Sequence, residues 1–304
     1  MSSITRTLIA GVAVVTLMTG AVGAVDKVRV VTTTTDLKAL TEAVGGNLAD
    51  VDALARGTQN PHDLEVRPSL MVKLRRADIL VVNGLDLDNW VDLAIQGANN
   101  ARVIRGAPGY VDASRGIPVL EVPTTRVDRA MGDVHPFGNP HYTLDPGMAP
   151  IVTANILEGL ARTAPQHRAD FEKNRQDFLA RLESMMAQWT RTLEPVKGAK
   201  VVSYHANFIY FLTRFGLLQV GTVEDRPGIP PTPGHLTQLI RRMKDERVKV
   251  VIEPWNDQKL AARVAEEGGA KALVLAAGVG SLKGADIYLD MVAYNVNTLA
   301  QPLK

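Results

Sequence analysis

The chain of 304 residues contains no cysteine. This absence excludes disulfide bridges, thiolate metal sites and a cysteine nucleophile, so any metal site must use nitrogen and oxygen ligands. The chain also has no large excess of charge of one sign, because 34 lysine and arginine residues stand against 32 aspartate and glutamate residues. The net charge of +2 therefore gives no electrostatic reason to expect a nucleic-acid partner.

The common catalytic and nucleotide-binding motifs are missing as well. The sequence has no Gly-x-Ser-x-Gly, no P-loop, no Gly-x-Gly-x-x-Gly and no His-Glu-x-x-His. What is present is an ordinary globular composition, with 46% hydrophobic and 22% charged residues. A chain of this length can bury a large core, either as one large domain or as two lobes.

The first 24 residues have the pattern of a secretory signal peptide. Arg6 is followed by an uncharged, mostly apolar run from Leu8 to Val25, and the small residues Val22 and Ala24 fit the positions before a cleavage site. A membrane anchor is the alternative, but the run is short for a membrane span and rich in small residues. With no cysteine to carry a lipid, we expect a periplasmic protein that starts at Val25 and is not lipid-anchored.

Beyond the signal, short β-branched runs alternate with amphipathic segments on both sides of one long predicted helix. This rhythm predicts an α/β fold with an N-terminal lobe at 25–164, a linking helix at 165–195 and a C-terminal lobe at 196–304. Residues 106–140 are rich in glycine and proline and have little periodicity, so we predict an irregular segment there.

Three of the six histidines occupy positions that suit a binding site. His62 and His141 lie in proline-containing turns, and His205 directly follows a predicted strand. In open α/β sheets ligands bind at the carboxyl ends of strands. Three neutral imidazoles with one oxygen can form a tetrahedral zinc site. The wide spacing of these residues is not diagnostic, so ordinary surface or core histidines remain the alternative.

Several segments of the mature chain, in order, resemble the zinc and manganese substrate-binding proteins of ABC importers, the cluster A-I family. The segments are NPHDLEVRP (60–68), ADILVVNGL (77–85), GNPHYTLDP (138–146), YHANFIYF (204–211), VIEP (251–254) and YLDMVAYN (288–295).

The resemblance implies two lobes bridged by a rigid helix, with the metal site in the cleft between them. His62 and His141 would be the ligands from the N-terminal lobe, and His205 the ligand from the C-terminal lobe. Manganese members often have a carboxylate where His205 stands, so the third imidazole favours zinc over manganese. The implied function is capture of zinc in the periplasm and delivery to an ABC permease of the inner membrane, by a monomer without enzymatic activity.

Two positions depart from the pattern of that family. The usual late acidic ligand is replaced by Ala276, so the fourth ligand remains open between water, Glu253 and Glu224. His135 lies where zinc members often carry a histidine-rich loop, but this loop is not rich in histidine, and the role of His135 stays open. A zinc-dependent hydrolase or hydratase with a three-histidine site, and an adhesin-like metal-binding module, are the alternative functions.

Overall fold

The structure is a computed structural model, and it describes residues 27–125, 127, 132, 134–253 and 258–304. The predicted signal peptide at 1–24 lies outside the described residues. Among the helices of the described ranges, none combines the length and apolar character needed to cross a membrane.

The N-terminal lobe contains a parallel sheet of four strands in the order β2-β1-β3-β4. All four residues of β3 are buried, as expected for a strand covered on both faces. The Thr34 side chain caps the first helix, and Pro68 occupies the first position of the second. The elements are β1 (Val28–Thr32), α1 (Thr35–Gly45), β2 (Ala49–Ala53), α2 (Pro68–Arg76), β3 (Ile79–Val82), α3 (Val91–Ala98), β4 (Tyr110–Asp112) and α4 (Ala149–Thr163).

One long helix, α5 (Arg168–Leu193), follows the N-terminal lobe, and its 26 residues confirm the predicted backbone helix. A helix of this length spans roughly 39 Å at about 1.5 Å per residue. Short 3-10 turns flank it at Pro165–His167 and Glu194–Val196. Its apolar face is buried in the core through Phe171, Phe178, Leu182, Trp189 and Leu193.

The C-terminal lobe repeats the architecture of the first, with a parallel sheet in the order β6-β5-β7-β8. Thr232 caps helix α7, which begins with Pro233. The elements are β5 (Lys200–Ser203), α6 (Ile209–Arg214), β6 (Leu218–Thr222), α7 (Pro233–Asp245), β7 (Val250–Glu253), α8 (Gln258–Gly268), β8 (Lys271–Val274) and α9 (Tyr288–Leu303). The prediction of two α/β lobes joined by one long helix is therefore confirmed.

The two lobes are tied to each other directly, in addition to their link through α5. One cluster of buried hydrophobic side chains includes residues of both lobes and of α5. Arg214 forms two hydrogen bonds, of 2.8 and 3.0 Å, with the carboxylate of the buried Asp145. The backbone nitrogen of Val279 donates to the buried carboxylate of Asp36 at 2.7 Å. These contacts favour small lobe movements over a wide opening.

Two elements of the N-terminal lobe were not predicted from the sequence. Strand β4 lies within 106–140, and the prediction of irregular structure there is wrong for Tyr110–Asp112. This strand is three residues long, too short to show a periodic pattern, and it exists through its pairing with β3. Helix α3 was also missed, because it is only eight residues long.

Candidate metal centre

His62 lies in the loop that joins β2 to α2. Its backbone nitrogen donates to Asn60 Oδ1 at 3.1 Å, which closes a local turn. The indole nitrogen of Trp90, at the start of α3, donates to the Pro61 carbonyl at 2.8 Å. These two hydrogen bonds to the backbone position the imidazole, although no helix or strand carries it.

His141 lies between β4 and α4, and Asn139 orients its ring. Asn139 Oδ1 accepts a hydrogen bond from the His141 backbone nitrogen at 3.0 Å and lies 2.9 Å from Nδ1. The amide nitrogen of Asn139 donates to Glu121 Oε2 at 2.8 Å and to the Ala206 carbonyl at 2.7 Å, which fixes the orientation of the amide. Because an amide oxygen only accepts, Nδ1 of His141 carries the proton and Nε2 keeps a free lone pair.

His205 directly follows Tyr204 at the exit of β5, on the C-terminal lobe. Its Nδ1 lies 2.8 Å from Oε2 of Glu224, which comes from the segment after the neighbouring strand β6. The same oxygen accepts a hydrogen bond from the Gly228 backbone nitrogen at 3.1 Å. A carboxylate on Nδ1 fixes the tautomer that leaves Nε2 for a metal, an arrangement typical of zinc-binding histidines.

The three imidazoles converge between the lobes. One nitrogen of each of His62, His141 and His205 lies within 4.8 Å of the nitrogens of the other two. The Nε2 atoms of His62 and His141 are 3.1 Å apart. Two nitrogens bound to one tetrahedral zinc ion, at about 2.0–2.1 Å each, would be about 3.3–3.4 Å apart. The arrangement therefore suits a zinc ion with only a small adjustment.

A cavity of about 470 Å³ adjoins these rings. His141 and His205 line it together with His135, and residues of both lobes, such as Glu121 and Thr222, form other parts of its wall. The volume of this cavity is large enough to hold a hydrated ion beside His141 and His205.

Burial keeps two of the rings neutral. Desolvation, with a smaller effect from the neighbouring histidines, holds the pKa of His62 and of His141 well below the ordinary value for histidine. A neutral imidazole offers its lone pair without first losing a proton. The site is thus prepared for a cation at neutral pH.

Glu224 and Glu253 were predicted as alternatives to water for the fourth ligand. Neither carboxylate joins this group. Among the described residues, the cluster of potential metal-ligand atoms within 4.8 Å of one another contains only nitrogens of the three histidines. Glu224 supports His205, and Glu253 is buried at the end of β7. Ala276, at the late acidic position of the family, is buried, and Asn295 binds both of its backbone polar groups, at 2.8 and 2.9 Å. The fourth ligand stays a prediction.

His135, whose role the sequence left open, is brought to the same place. Its ring centroid lies 4.9 Å from that of His62 and 6.3 Å from that of His141. Burial lowers the pKa of His135 to about 4. The signals in the sequence are its position six residues before His141 and its place where zinc members of the family often carry a histidine-rich loop. Its path could not be predicted, because this segment has no periodicity.

The other two histidines do not belong to the cluster. His167, just before α5, has Nδ1 3.6 Å from Asp170 Oδ2. His235, in the first turn of α7, has Nε2 2.9 Å from the Thr222 carbonyl. Both positions agree with ordinary structural roles.

The chain is similar to known zinc-uptake and zinc-binding proteins. A family model described as zinc-uptake complex component A, periplasmic, matches residues 30–302. The high-affinity zinc uptake system protein ZnuA of Bacillus subtilis is 27% identical over 286 residues, which cover 91% of this chain and 88% of that protein. The zinc-binding protein AdcA of Streptococcus pyogenes is 26% identical over 289 residues, which cover 90% of this chain but only 55% of AdcA. A crystal structure of ZnuA has the same fold, with a TM-score of 0.77 at 24% identity, and the match covers 92% of this chain and 100% of that one.

Proposed function

Because this chain belongs to the family of periplasmic zinc-uptake complex component A proteins, we propose that it binds one zinc ion through His62, His141 and His205. The protein is the zinc-binding component of an ABC uptake system, the role of its family and of its named relatives. The observation that supports this ligand set is the convergence of three imidazole nitrogens within 4.8 Å between two lobes.

The chemistry of the three nitrogens favours zinc as the cargo. Imidazole suits zinc, whereas manganese prefers carboxylate and water oxygens. Two of the rings are neutral through burial, and two are oriented by Asn139 and Glu224 through their far nitrogens. Such preorganisation raises affinity, because little ordering is left to occur when the ion binds.

An ABC uptake system contains a membrane permease and an ATPase, and the permease receives the ion from the binding protein. We propose that this chain acts as a monomer and is free in the periplasm after removal of residues 1–24, since it has no cysteine to carry a lipid. Release of zinc then requires a local change in the cleft, because the direct contacts between the lobes oppose wide opening.

A zinc hydrolase or hydratase is the second candidate, since three histidines with a free position can activate water. Such an enzyme also needs a general base beside that water. The nearby carboxylate of Glu224 is already bound to His205 Nδ1 and the Gly228 nitrogen, so this geometry favours binding over catalysis. If the chain were instead an adhesin-like module, cells that carry the His62→Ala, His205→Ala double variant would keep full zinc uptake.

The test is the metal content of the mature protein purified from the periplasm without added metal. We expect one zinc per chain, and its loss in the His62→Ala, His141→Ala, His205→Ala triple variant. His167→Ala is the matched control and should keep its zinc, because this ring lies outside the cluster.

Wild-type protein that holds no zinc and binds none tightly on titration would contradict the proposal. Zinc retained by the triple variant would contradict the ligand set alone. A hydrolase or hydratase turnover that disappears in His141→Ala would instead support the enzyme.

A further inference from the structure

The His135 ring has one nitrogen without a hydrogen bond in the middle of the candidate metal centre. Its Nε2 is buried and has no hydrogen-bond partner among the described residues. The Asp86 backbone contacts the same ring. Leaving a buried polar nitrogen without a partner is unfavourable, so such an atom calls for an explanation.

The contact with Asp86 resembles the arrangement of a metal-binding histidine. Such a histidine donates one ring N–H to a carbonyl or carboxylate and keeps the lone pair of the other nitrogen for the metal. Asn139 and Glu224 hold His141 and His205 in this manner. His135 likewise keeps Nε2 without a partner among the described residues.

This chain lacks the late acidic ligand of its family, so one coordination position of the ion is left without a protein ligand. The turn after β8 offers Ala276, Ala277 and Gly278 where a carboxylate is expected. Asp36, the acidic side chain that reaches this turn from the other lobe, already binds the Val279 nitrogen at 2.7 Å and the Thr143 hydroxyl at 2.8 Å.

The backbone keeps His135 close to the site. The Asn139 nitrogen donates to the Leu120 carbonyl at 2.8 Å and closes the base of the loop that carries His135. The Gly138 nitrogen donates to the His135 carbonyl at 3.2 Å, which forms a turn just before that base. A ring attached so near the site has a high effective concentration there.

We infer that His135 is the fourth protein ligand, so that four imidazoles surround the zinc ion. This inference rests on the proposed function. The nitrogens of His135 do not lie within 4.8 Å of all three other ligand atoms, so the ring moves toward them when the ion binds.

The experiment counts imidazoles by X-ray absorption at the zinc edge on the full mature protein loaded with one equivalent of Zn²⁺. We expect four imidazoles in the wild type, and three with one light oxygen in both His135→Ala and His135→Gln. A chelator competition should show zinc binding at least about tenfold weaker in these variants, the smallest loss typical of a histidine that supports a metal. His167→Ala, the matched control, should keep four imidazoles and wild-type affinity.

Three imidazoles in the wild type, with zinc bound one to one, would overturn the assignment of His135 and leave the proposed function standing. An unchanged imidazole count and affinity in the His135 variants would overturn it as well. Wild-type protein that takes up no zinc would overturn the proposed function itself. A merely structural role for His135 would lower the unfolding temperature in both variants without changing the imidazole count, and that result also counts against the inference.

Discussion

Replacing Glu224 by alanine should weaken zinc binding by about 10- to 100-fold, although this carboxylate need not touch the ion. Glu224 Oε2 lies 2.8 Å from His205 Nδ1, and each side chain is only 15% exposed. A hydrogen bond to a charged group contributes about 1.5–3 kcal/mol when it is shielded from water. That range corresponds to about 10- to 100-fold in a binding constant. The physical reason is that alanine leaves His205 without the partner that orients its ring.

The assay is competition for zinc with a chromogenic chelator at fixed pH and salt. Glu224→Gln keeps an oxygen acceptor but no charge, so we expect a loss between those of the alanine variant and the wild type. Glu183→Ala, on the exposed side of α5, is the matched control. If the Glu224→Ala variant, shown to be folded by circular dichroism, binds zinc as tightly as this control, the reasoning about His205 is wrong.

Three further outcomes follow from burial and pairing. Metal-free protein should lose thermal stability as the pH falls below about 6.5. The reason is that His62 and His141 take up protons in the unfolded chain, whereas burial keeps them unprotonated in the folded protein. An unfolding temperature that rises as the pH is lowered would contradict this. Arg214→Ala should cost about 1–3 kcal/mol in urea unfolding, because Asp145 stays buried and loses its charged partner, and Arg214→Lys should cost less. Phe171→Ala should cost about 3–5 kcal/mol in the same measurement, since Phe171 is fully buried, and a loss below about 1 kcal/mol would refute its role in the core.

Most secondary structure could be predicted because its signals are local. Pro68 and Pro233 occupy the first helical position, which proline favours, and the apolar stripe of α5 has the period of a helix. Strand β4 could not be predicted, because three residues contain no period and its pairing with β3 is a long-range contact.

The candidate site was less accessible to sequence reasoning than the fold. Residue types indicated nitrogen ligands, and the resemblance selected His62, His141 and His205 from six histidines. The support that Asn139 gives to His141 was missed. Glu224, which supports His205, was singled out from the sequence but for a different role. Glu224 was predicted only as a fourth ligand, because sequence separation does not tell which nitrogen of His205 a carboxylate reaches.

The sequence by itself determined the class of the protein: two α/β lobes, one long helix, no thiolate chemistry, and histidine as the available metal ligand. These properties depend on composition, on periodicity and on short motifs, which are local along the chain. Only the tertiary structure decided which nitrogens meet, since His62 and His205 belong to different lobes and their rings come within 5.5 Å through packing around α5. It also placed His135 beside them, because the path of an irregular loop is set by contacts between distant residues rather than by its own sequence.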